Sequence, residues 1–326
     1  MNTRRFGRLG WQVSELGFGA WALGGGWGQQ SDADSAAALR RFMELGGNLI
    51  DTAQVYGDGR SEQLIAQALQ RRSGGDPIYV ATKIPPAPGL WPPSPYDRIE
   101  DRYGAAYLRE RLERSLRALR TDCIDLIQLH TWTRAWNRDP QALDVLEQLR
   151  REGKLRAIGI STPEHDQNAL VEPMRAGRLD AVQLIYNIFE QEAQAELLPA
   201  AAQHQVAVIV RVALDEGALT GKFGAGTLFA AGDFRQQYFA GDRLERTVQR
   251  VGRLQQTVGT AEPDLATAAL KFALKPRAVS VVIPGMRNVS QVEANLRISG
   301  QAPLSDELEQ DLRPHQWRRA DWYKGK

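Results

Sequence analysis

Residues 46–69 read GGNLIDTAQVYGDGRSEQLIAQAL, and this stretch decides the fold class of the chain. Its apolar run 48–51 is short enough for a buried strand and ends on Asp51, and the segment 61–71 has apolar residues at helical spacing. Short strands that alternate with helices of this length indicate βαβ units and a parallel sheet.

Further apolar runs with helical segments between them extend this pattern along the chain. The predicted strands are 15–19, 48–51, 78–83, 124–130, 157–160, 181–184, 207–211 and 279–283. The predicted helices are 34–45, 61–71, 107–120, 140–152, 164–175, 192–204, 243–257 and 265–274. Eight parallel strands separated by helices predict an α/β fold, a single (β/α)8 TIM barrel that takes up residues 1–326 as one domain.

Two kinds of additional segment are expected around the barrel. A short N-terminal β-hairpin is predicted to pair 4–6 with Val13. Long loops at 85–103 and 223–242 are rich in aromatic residues and are placed at the C-terminal face. Loops of this length in a compact domain are usually functional or mobile.

Composition excludes several classes of protein. The chain has 41 Lys and Arg residues against 39 Asp and Glu, a formal net charge of +2, which gives no electrostatic reason to expect nucleic acid or a membrane surface as a partner. The one cysteine, Cys123, lies in an apolar run and is expected to be a small buried hydrophobe. Since the N-terminal segment lacks a signal-peptide core and no run of about 18 apolar residues exists, we predict a cytoplasmic protein.

Polar or ionisable side chains mark the ends of six successive predicted strands. In chain order they are Asp51, Lys83, His130, Ser161, Gln183 and Arg211. The C-terminal ends of the strands of a barrel all lie at one mouth, where active sites are found. Neighbouring strands are about 4.8 Å apart, so the first three of these side chains can converge. Tyr56, in the loop after Asp51, can reach the same volume.

This combination suits proton donation to a carbonyl oxygen. A free tyrosine has a pKa of about 10, and the ammonium of Lys83 is expected to lower the pKa of Tyr56. Asp51 would hold the lysine in place, and His130 could donate a hydrogen bond to the substrate oxygen. Each residue alone has a common structural explanation, but their joint placement at adjacent strand ends favours a catalytic one.

At these residues the chain resembles the aldo-keto reductase family along essentially its whole length. The resemblance is carried by 46–69, by YVATK around Lys83, and by SLRALRTDCIDLIQLH, which ends on His130. It implies NADPH-dependent reduction of an aldehyde or ketone to an alcohol, in a reversible reaction. Asp51, Tyr56, Lys83 and His130 would then be the catalytic residues.

The resemblance also implies a cofactor site, with NADP(H) preferred and NAD(H) possible. Its residues would be Gly19, Ala20, Trp21, Ser161, Thr162, Gln183, Arg211, Val212, Leu214, Gly217, Thr220, Lys222, Ile283, Gly285, Arg287, Gln291 and Asn295. Arg287 would pair with the 2′-phosphate that distinguishes NADP from NAD. No GxGxxG motif of a Rossmann dinucleotide site follows the first strand.

Three positions depart from the pattern of the family. Thr162 replaces the more usual asparagine or arginine, and Ala294 stands where relatives often carry a glutamate. Arg211 replaces an aromatic residue that stacks on the nicotinamide. A planar guanidinium can also stack, so Arg211 is expected to contact the cofactor, with an ion pair to Asp215 or Glu216 as the alternative.

The substrate is predicted to be a small-molecule carbonyl compound or alcohol, and tryptophans in loops at the mouth are the candidate pocket walls. They are Trp21, Trp27, Trp91 and Trp132. No metal is expected, because the four histidines lack ligand spacing. The chain could be a monomer or a small homo-oligomer.

Two other functions remain open at this level. One is a regulatory protein that uses NADP occupancy as a signal, as in potassium-channel β subunits of this fold. Those subunits resemble a version with asparagine at the position of His130, so the histidine favours an enzyme. The other is a barrel enzyme in which Lys83 forms a Schiff base.

Overall fold

A computed structural model describes residues 1–72, 74–319 and 322, and it contains an eight-stranded parallel sheet. An antiparallel hairpin of β1, Thr3–Phe6, and β2, Trp11–Ser14, precedes this sheet. The parallel strands are β3 Phe18–Gly19, β4 Leu49–Asp51, β5 Tyr79–Ile84, β6 Ile124–Leu129, β7 Leu155–Ser161, β8 Ala181–Ile185, β9 Ala207–Arg211 and β10 Val279–Val282. The predicted strands and the hairpin are confirmed, with ends that shift by a few residues.

Helices follow the strands and cover the outside of the sheet. They are α1 Asp32–Glu44, α2 Arg60–Gln70, α3 Ile99–Tyr103, α4 Ala105–Leu119, α5 Gln141–Arg151, α6 Val171–Arg175, α7 Leu197–Gln203, α8 Phe234–Tyr238, α9 Arg243–Val258, α10 Leu265–Leu274, α11 Val289–Leu296 and α12 Asp306–Leu312. In the described part of the chain, no helix combines the length and the apolar character needed to cross a lipid bilayer.

The predicted helices 164–175 and 192–204 are too long at their N-terminal ends. Short 3-10 turns occupy Gln167–Leu170 and Glu192–Gln194, and α6 and α7 begin only after them. Each of these helices has a proline at its third position, Pro173 or Pro199. Proline is tolerated in the first turn but clashes with the carbonyl four residues earlier, so a helix cannot extend far upstream of it.

Hydrogen bonds between the first and last strands close the sheet into a barrel. The amide of Val282 donates to the carbonyl of Glu15 at 3.0 Å, and the amide of Gly19 donates to the carbonyl of Pro284 at 3.0 Å. A Cβ atom added at Gly19 would lie 2.7 Å from the carbonyl oxygen of Ile283. Glycine therefore permits the close approach of β3 to the chain that leaves β10.

Inside the barrel, side chains are apolar near the strand starts and polar near the strand ends. The buried apolar positions include Leu49, Ala81, Leu126, Ala181 and Ile209, and Phe6 and Val13 of the hairpin pack against this cluster. Because side chains alternate along a strand, the next positions on the same face are Asp51, Lys83, Gln128, Gln183 and Arg211. The hairpin thus covers one end of the barrel and leaves the polar groups at the other end.

Cys123 is only half-buried, so the expectation of a fully buried hydrophobe is wrong. The residue comes just before β6, at the strand-start end of the barrel. It lines a cavity of about 300 Å³ there, together with Tyr79, Asp125 and Arg156. This end lies opposite the polar strand ends.

Candidate active site

A buried ion pair between Lys83 and Asp51 forms the centre of the polar mouth. The Lys83 Nζ atom lies 2.6 Å from Asp51 Oδ2, and the two side chains are 1% and 4% exposed. The ammonium also donates to the carbonyl of Thr52 at 2.9 Å and to Tyr56 Oη at 3.4 Å. An ammonium has three protons, and the three acceptors on Asp51, Thr52 and Tyr56 provide one for each of them. This arrangement compensates the charge of Lys83 despite its burial.

Tyr56 is half-buried beside this pair, in the connection between β4 and α2. The Lys83 Nζ atom lies 5.2 Å from the centroid of its ring. Burial of the phenol raises its pKa above the usual value near 10, and the neighbouring Lys83 ammonium only partly opposes this. The expectation of a lowered pKa is therefore wrong for the protein alone, because desolvation of the tyrosinate outweighs its attraction to the lysine.

His130 follows β6 directly and faces the same volume. Its amide donates to the carbonyl of Ile84 at 2.9 Å, which ties it to the end of β5. Its ring packs edge-on against Tyr56, with centroids 6.0 Å apart, and against Trp91, at 5.4 Å. The fold therefore brings Asp51, Tyr56, Lys83 and His130 together.

Gln128 also lies at the polar mouth, in contact with Asp51, and was not predicted from the sequence. Its Nε2 atom donates to Asp51 Oδ1 at 3.2 Å, and Gln183 Nε2 donates to the same oxygen at 2.7 Å. Asp51 thus accepts two amide protons on one oxygen and the lysine on the other. The period-2 alternation from Leu126 through Gln128 could have identified the residue, since it places Gln128 on the inward face.

The predicted cofactor residues lie from the middle of a strand onward. Gly19 ends β3, Ser161 ends β7 and Arg211 ends β9, while Gln183 lies in the middle of β8. The others follow a strand: Ala20 and Trp21 after β3; Thr162 after β7; Val212, Leu214, Gly217, Thr220 and Lys222 after β9; and Ile283, Gly285, Arg287, Gln291 and Asn295 after β10. They form a rim around the mouth. The side chains of Ser161, Thr162 and Gln183 are buried, whereas Lys222 is exposed.

Arg211 extends from the end of β9 to the end of β7. Its Nη2 atom donates to the carbonyl of Thr162 at 3.1 Å and to Glu164 Oε1 at 3.2 Å. The ion-pair partner is therefore Glu164 and not the anticipated Asp215 or Glu216. The Nε atom of Arg211 is buried and has no hydrogen-bond partner among the described residues, so it keeps a donor available for a bound group.

Arg287 lies just before α11 and is held in a half-exposed position by the loop after β3. Its Nη2 atom donates to the carbonyl of Gln29 at 2.5 Å, and its Nε atom donates to Gln30 Oε1 at 3.0 Å. Asn288 caps the helix by accepting from the amide of Gln291 at 2.9 Å. A guanidinium and a helix N-terminus are thus combined at one side of the mouth, and both favour anions.

Aromatic rings lie around the four residues Asp51, Tyr56, Lys83 and His130, here called the tetrad. Trp21 lies 6.3 Å from Tyr56 between ring centroids and also contacts Trp27, at 5.5 Å. On the other side is Trp91, which packs against His130. Trp132, in contrast, is 1% exposed and donates through Nε1 to Asn137, so it offers little surface to a substrate.

Known proteins resemble this chain over nearly its full length. The model of the Aldo/keto reductase family matches residues 15–314. The aldo-keto reductase YhdN of Bacillus subtilis is 30% identical, covering 93% of this chain and 90% of its own. The NADH-specific methylglyoxal reductase of Escherichia coli is 28% identical, with 87% and 89% covered.

A solved structure of an aldo-keto reductase is also similar to this chain over nearly its full length. The holo form of the aldo-keto reductase AKR11C1 from Bacillus halodurans superimposes with a TM-score of 0.75 at 27% identity, and the match covers 97% of this chain and 96% of that one. The fold, the family match over residues 15–314 and the 30% identity to YhdN all indicate the same family. The chain belongs to the aldo/keto reductase family of oxidoreductases.

Proposed function

We propose that this protein is an NADPH-dependent carbonyl reductase that interconverts an aldehyde or ketone and the corresponding alcohol. The observation that carries the proposal is the contact of the buried Lys83 ammonium with both Asp51 and the hydroxyl of Tyr56. It places a proton donor beside a fixed positive charge at an aromatic-lined mouth. Such a site can protonate an oxygen on which negative charge develops.

In this mechanism Tyr56 donates its phenolic proton to the carbonyl oxygen. The reduced nicotinamide, when bound, supplies the hydride to the carbonyl carbon, so that the C=O bond becomes an alcohol. Lys83 stabilises the tyrosinate that remains, and Asp51 keeps the lysine charged and oriented. A proton from solvent then restores Tyr56. In alcohol oxidation the tyrosinate takes up the hydroxyl proton.

His130 orients the substrate in this proposal. Its ring lies against Tyr56, so a carbonyl oxygen within reach of the phenol also lies near the imidazole. A neutral imidazole can donate one hydrogen bond to that oxygen. Trp21 and Trp91 bound the space on two sides and favour a carbonyl carbon that carries an apolar or planar substituent.

The residues at the rim fit a nicotinamide dinucleotide. The buried Nε donor of Arg211 needs an acceptor, and the Ser161 hydroxyl and the Gln183 amide suit a carboxamide. The guanidinium of Arg287 suits a 2′-phosphate, which favours NADPH. The methylglyoxal reductase relative is NADH-specific by name, so both cofactors belong in the test.

Schiff-base chemistry at Lys83 fits the site poorly. A Schiff base needs a neutral amine with access to a carbonyl carbon. The Nζ atom of Lys83 is instead buried and makes hydrogen bonds to Asp51 and Thr52. Borohydride treatment with a carbonyl substrate should therefore leave the lysine unmodified.

The test follows the absorbance of NADPH and of NADH with a panel of aldehydes and α-dicarbonyls. We expect NADPH-linked reduction that Tyr56→Phe lowers by about 10²-fold or more, since general acid catalysis is worth that much. Tyr96→Phe, at a tyrosine that is 94% exposed, is the matched control and should retain full activity.

Three outcomes are informative. Loss of activity in Tyr56→Phe with retained NADPH binding supports the proposal. Tight NADPH binding without reduction of any panel member contradicts it and favours a regulatory protein. Equal activity of Tyr56→Phe and the wild type would exclude Tyr56 as the proton donor.

A further inference from the structure

Another buried ion pair, between Arg319 and Asp215, lies outside the tetrad. Arg319 donates to both carboxylate oxygens of Asp215, from Nη1 at 2.9 Å and from Nη2 at 2.5 Å. The side chains are 4% and 0% exposed. Two parallel hydrogen bonds of this kind fix the orientation of a carboxylate as well as its position. The pair joins the segment after α12 to the segment after β9.

Aromatic rings hold the guanidinium of Arg319 in place. The Cζ atom lies 5.1 Å from the ring centroid of Phe189, 4.6 Å from that of Trp317 and 5.3 Å from that of Trp322. The amide of Trp317 donates to the carbonyl of Phe189 at 2.8 Å, which docks this segment on the barrel. Cations over aromatic faces are attracted by the ring quadrupole, so Arg319 is positioned independently of Asp215.

The segment that receives this contact has an unusual backbone. Val212, Asp215 and Glu216 have φ values of 57°, 50° and 53°. Residues other than glycine rarely adopt this left-handed conformation, and surrounding contacts must impose it where it occurs. The segment 212–217 directly follows Arg211 at the mouth and contains Val212, Leu214 and Gly217, three of the predicted cofactor residues.

We propose that Arg319 is a positioning residue for the cofactor, which acts by holding Asp215 and so the segment 212–217 in its dinucleotide-binding shape. This inference rests on the proposed function, since it assumes a nicotinamide dinucleotide at the rim. Without Arg319 the buried carboxylate of Asp215 loses its compensating charge. The carboxylate then turns toward water, and the left-handed turn relaxes. The segment must be ordered again when the dinucleotide binds, so affinity falls.

The experiment measures the Kd of NADPH by titration calorimetry and the amide hydrogen exchange of 212–222 in the protein without cofactor. Arg319→Met should raise the Kd about tenfold or more and accelerate exchange in this segment. Arg319→Lys keeps the charge but loses the bidentate contact, so its effect should be smaller. Arg318→Met changes the adjacent, exposed arginine and is the matched control, with a Kd within about twofold of the wild type.

Melting temperatures of all variants separate this role from simple stabilisation. If Arg319→Met lowers the melting temperature but leaves the Kd and the local exchange unchanged, the inference is overturned. If that variant does not fold, Arg319→Lys and Asp215→Asn provide the same comparison. If the wild type binds neither NADPH nor NADH, both the proposed function and this inference are overturned. If the wild type binds NADPH and the variants bind it with the same Kd, only this inference is overturned.

Discussion

At the scale of the single residue, the two largest influences on the acidity of Tyr56 oppose each other. Burial raises the pKa of its phenol, and the Lys83 ammonium lowers it, with burial the larger effect. The hydroxyl therefore stays protonated at neutral pH and is available for donation to a carbonyl. In the proposed mechanism the reverse reaction needs the tyrosinate, so we expect alcohol oxidation to increase as the pH rises toward the pKa of Tyr56.

Removing the charge of Lys83 should shift this balance. In Lys83→Met the largest influence that lowers the pKa of Tyr56 is lost, so this pKa rises further and the phenol becomes a weaker acid. We expect carbonyl reduction to fall by about 10²-fold or more, and alcohol oxidation to require a higher pH than in the wild type. pH–rate profiles in both directions measure this. Lys271→Met removes another buried lysine, which is paired with Glu262 at 2.7 Å, and controls for a loss of stability. Identical pH–rate profiles for Lys83→Met and the wild type would refute an effect of Lys83 on the pKa of Tyr56.

At the scale of the element, the position of Tyr56 depends on a close contact between two connections. Gly24 ends the 3-10 turn Trp21–Gly24, after β3, and packs on the backbone of the connection between β4 and α2. A Cβ atom added at Gly24 would lie 2.4 Å from the carbonyl carbon of Tyr56. The same Cβ atom would lie 2.6 Å from the amide nitrogen of Gly57. Because both contacts are with the main chain, a side chain at position 24 must displace the backbone at Tyr56.

Gly24→Ala should therefore lower activity without removing a catalytic group. A displacement of about 1 Å at the reacting centre can reduce the rate about 10²-fold. Gly252→Ala, inside α9, is the control, because a Cβ atom there meets no described atom within 4 Å. That replacement should stabilise the helix by about 0.5–1 kcal/mol and leave kcat unchanged. Equal kcat values for the two variants would show that the contact does not position Tyr56.

A buried carboxyl group in α2 makes stability depend on pH. Glu62 Oε1 accepts from Thr82 and Ser115, each at 2.7 Å, while Oε2 is buried without a hydrogen-bond partner among the described residues. Burial raises the pKa of Glu62 above its ordinary value. Protonated Glu62 is thus favoured in the folded state, so its contribution to stability is present at low pH and is lost as the pH rises through the folded-state pKa.

Glu62→Gln should remove this dependence. The amide is neutral at every pH and its oxygen can still accept from Thr82 and Ser115. We expect the variant to exceed the wild type in free energy of unfolding at pH 8, by about 1 kcal/mol or more, and to lose this advantage near pH 4. Urea unfolding across this pH range measures the difference. A constant difference between the two proteins at all pH values would contradict the raised pKa.

At the scale of the whole molecule, closure of the barrel brings the first and last parallel strands, β3 and β10, together at one side of the mouth. β3 meets the chain after β10, and the loop after β3 binds Arg287 through Gln29 and Gln30. The proposed 2′-phosphate site is therefore built from residues 257 positions apart in sequence, Gln30 and Arg287. Its charge is oriented before any ligand arrives.

Replacement of Arg287 should change cofactor preference more than turnover. In Arg287→Leu we expect the KM for NADPH to rise about 10-fold to 100-fold, the value of one charge-assisted hydrogen bond, with little change for NADH. Arg297→Leu, at the end of α11, is the matched control because its side chain is 57% exposed and faces Asp264. A parallel loss for both cofactors would mean that Arg287 supports the loop and does not recognise the 2′-phosphate.

Much of this architecture could be predicted from local sequence alone. The eight apolar runs indicated the barrel, and the polar residues at the ends of six of them indicated the edge that carries the site, because strand periodicity and chain direction are local properties. The limits of α6 and α7 were missed although Pro173 and Pro199 mark them. Gln128 was also missed, although it continues the same alternation.

By itself, then, the sequence determined the family, the order of the strands and most of the polar side chains that share the mouth. Only the tertiary structure decided how those side chains pair: that Glu164 is the partner of Arg211, that Arg319 binds Asp215, and that burial raises the pKa of Tyr56. Pairing and desolvation depend on distances between atoms that are remote in the chain. Periodicity assigns a residue to a face of its strand, but only the packed barrel specifies which groups lie within hydrogen-bond reach and how much water remains around them.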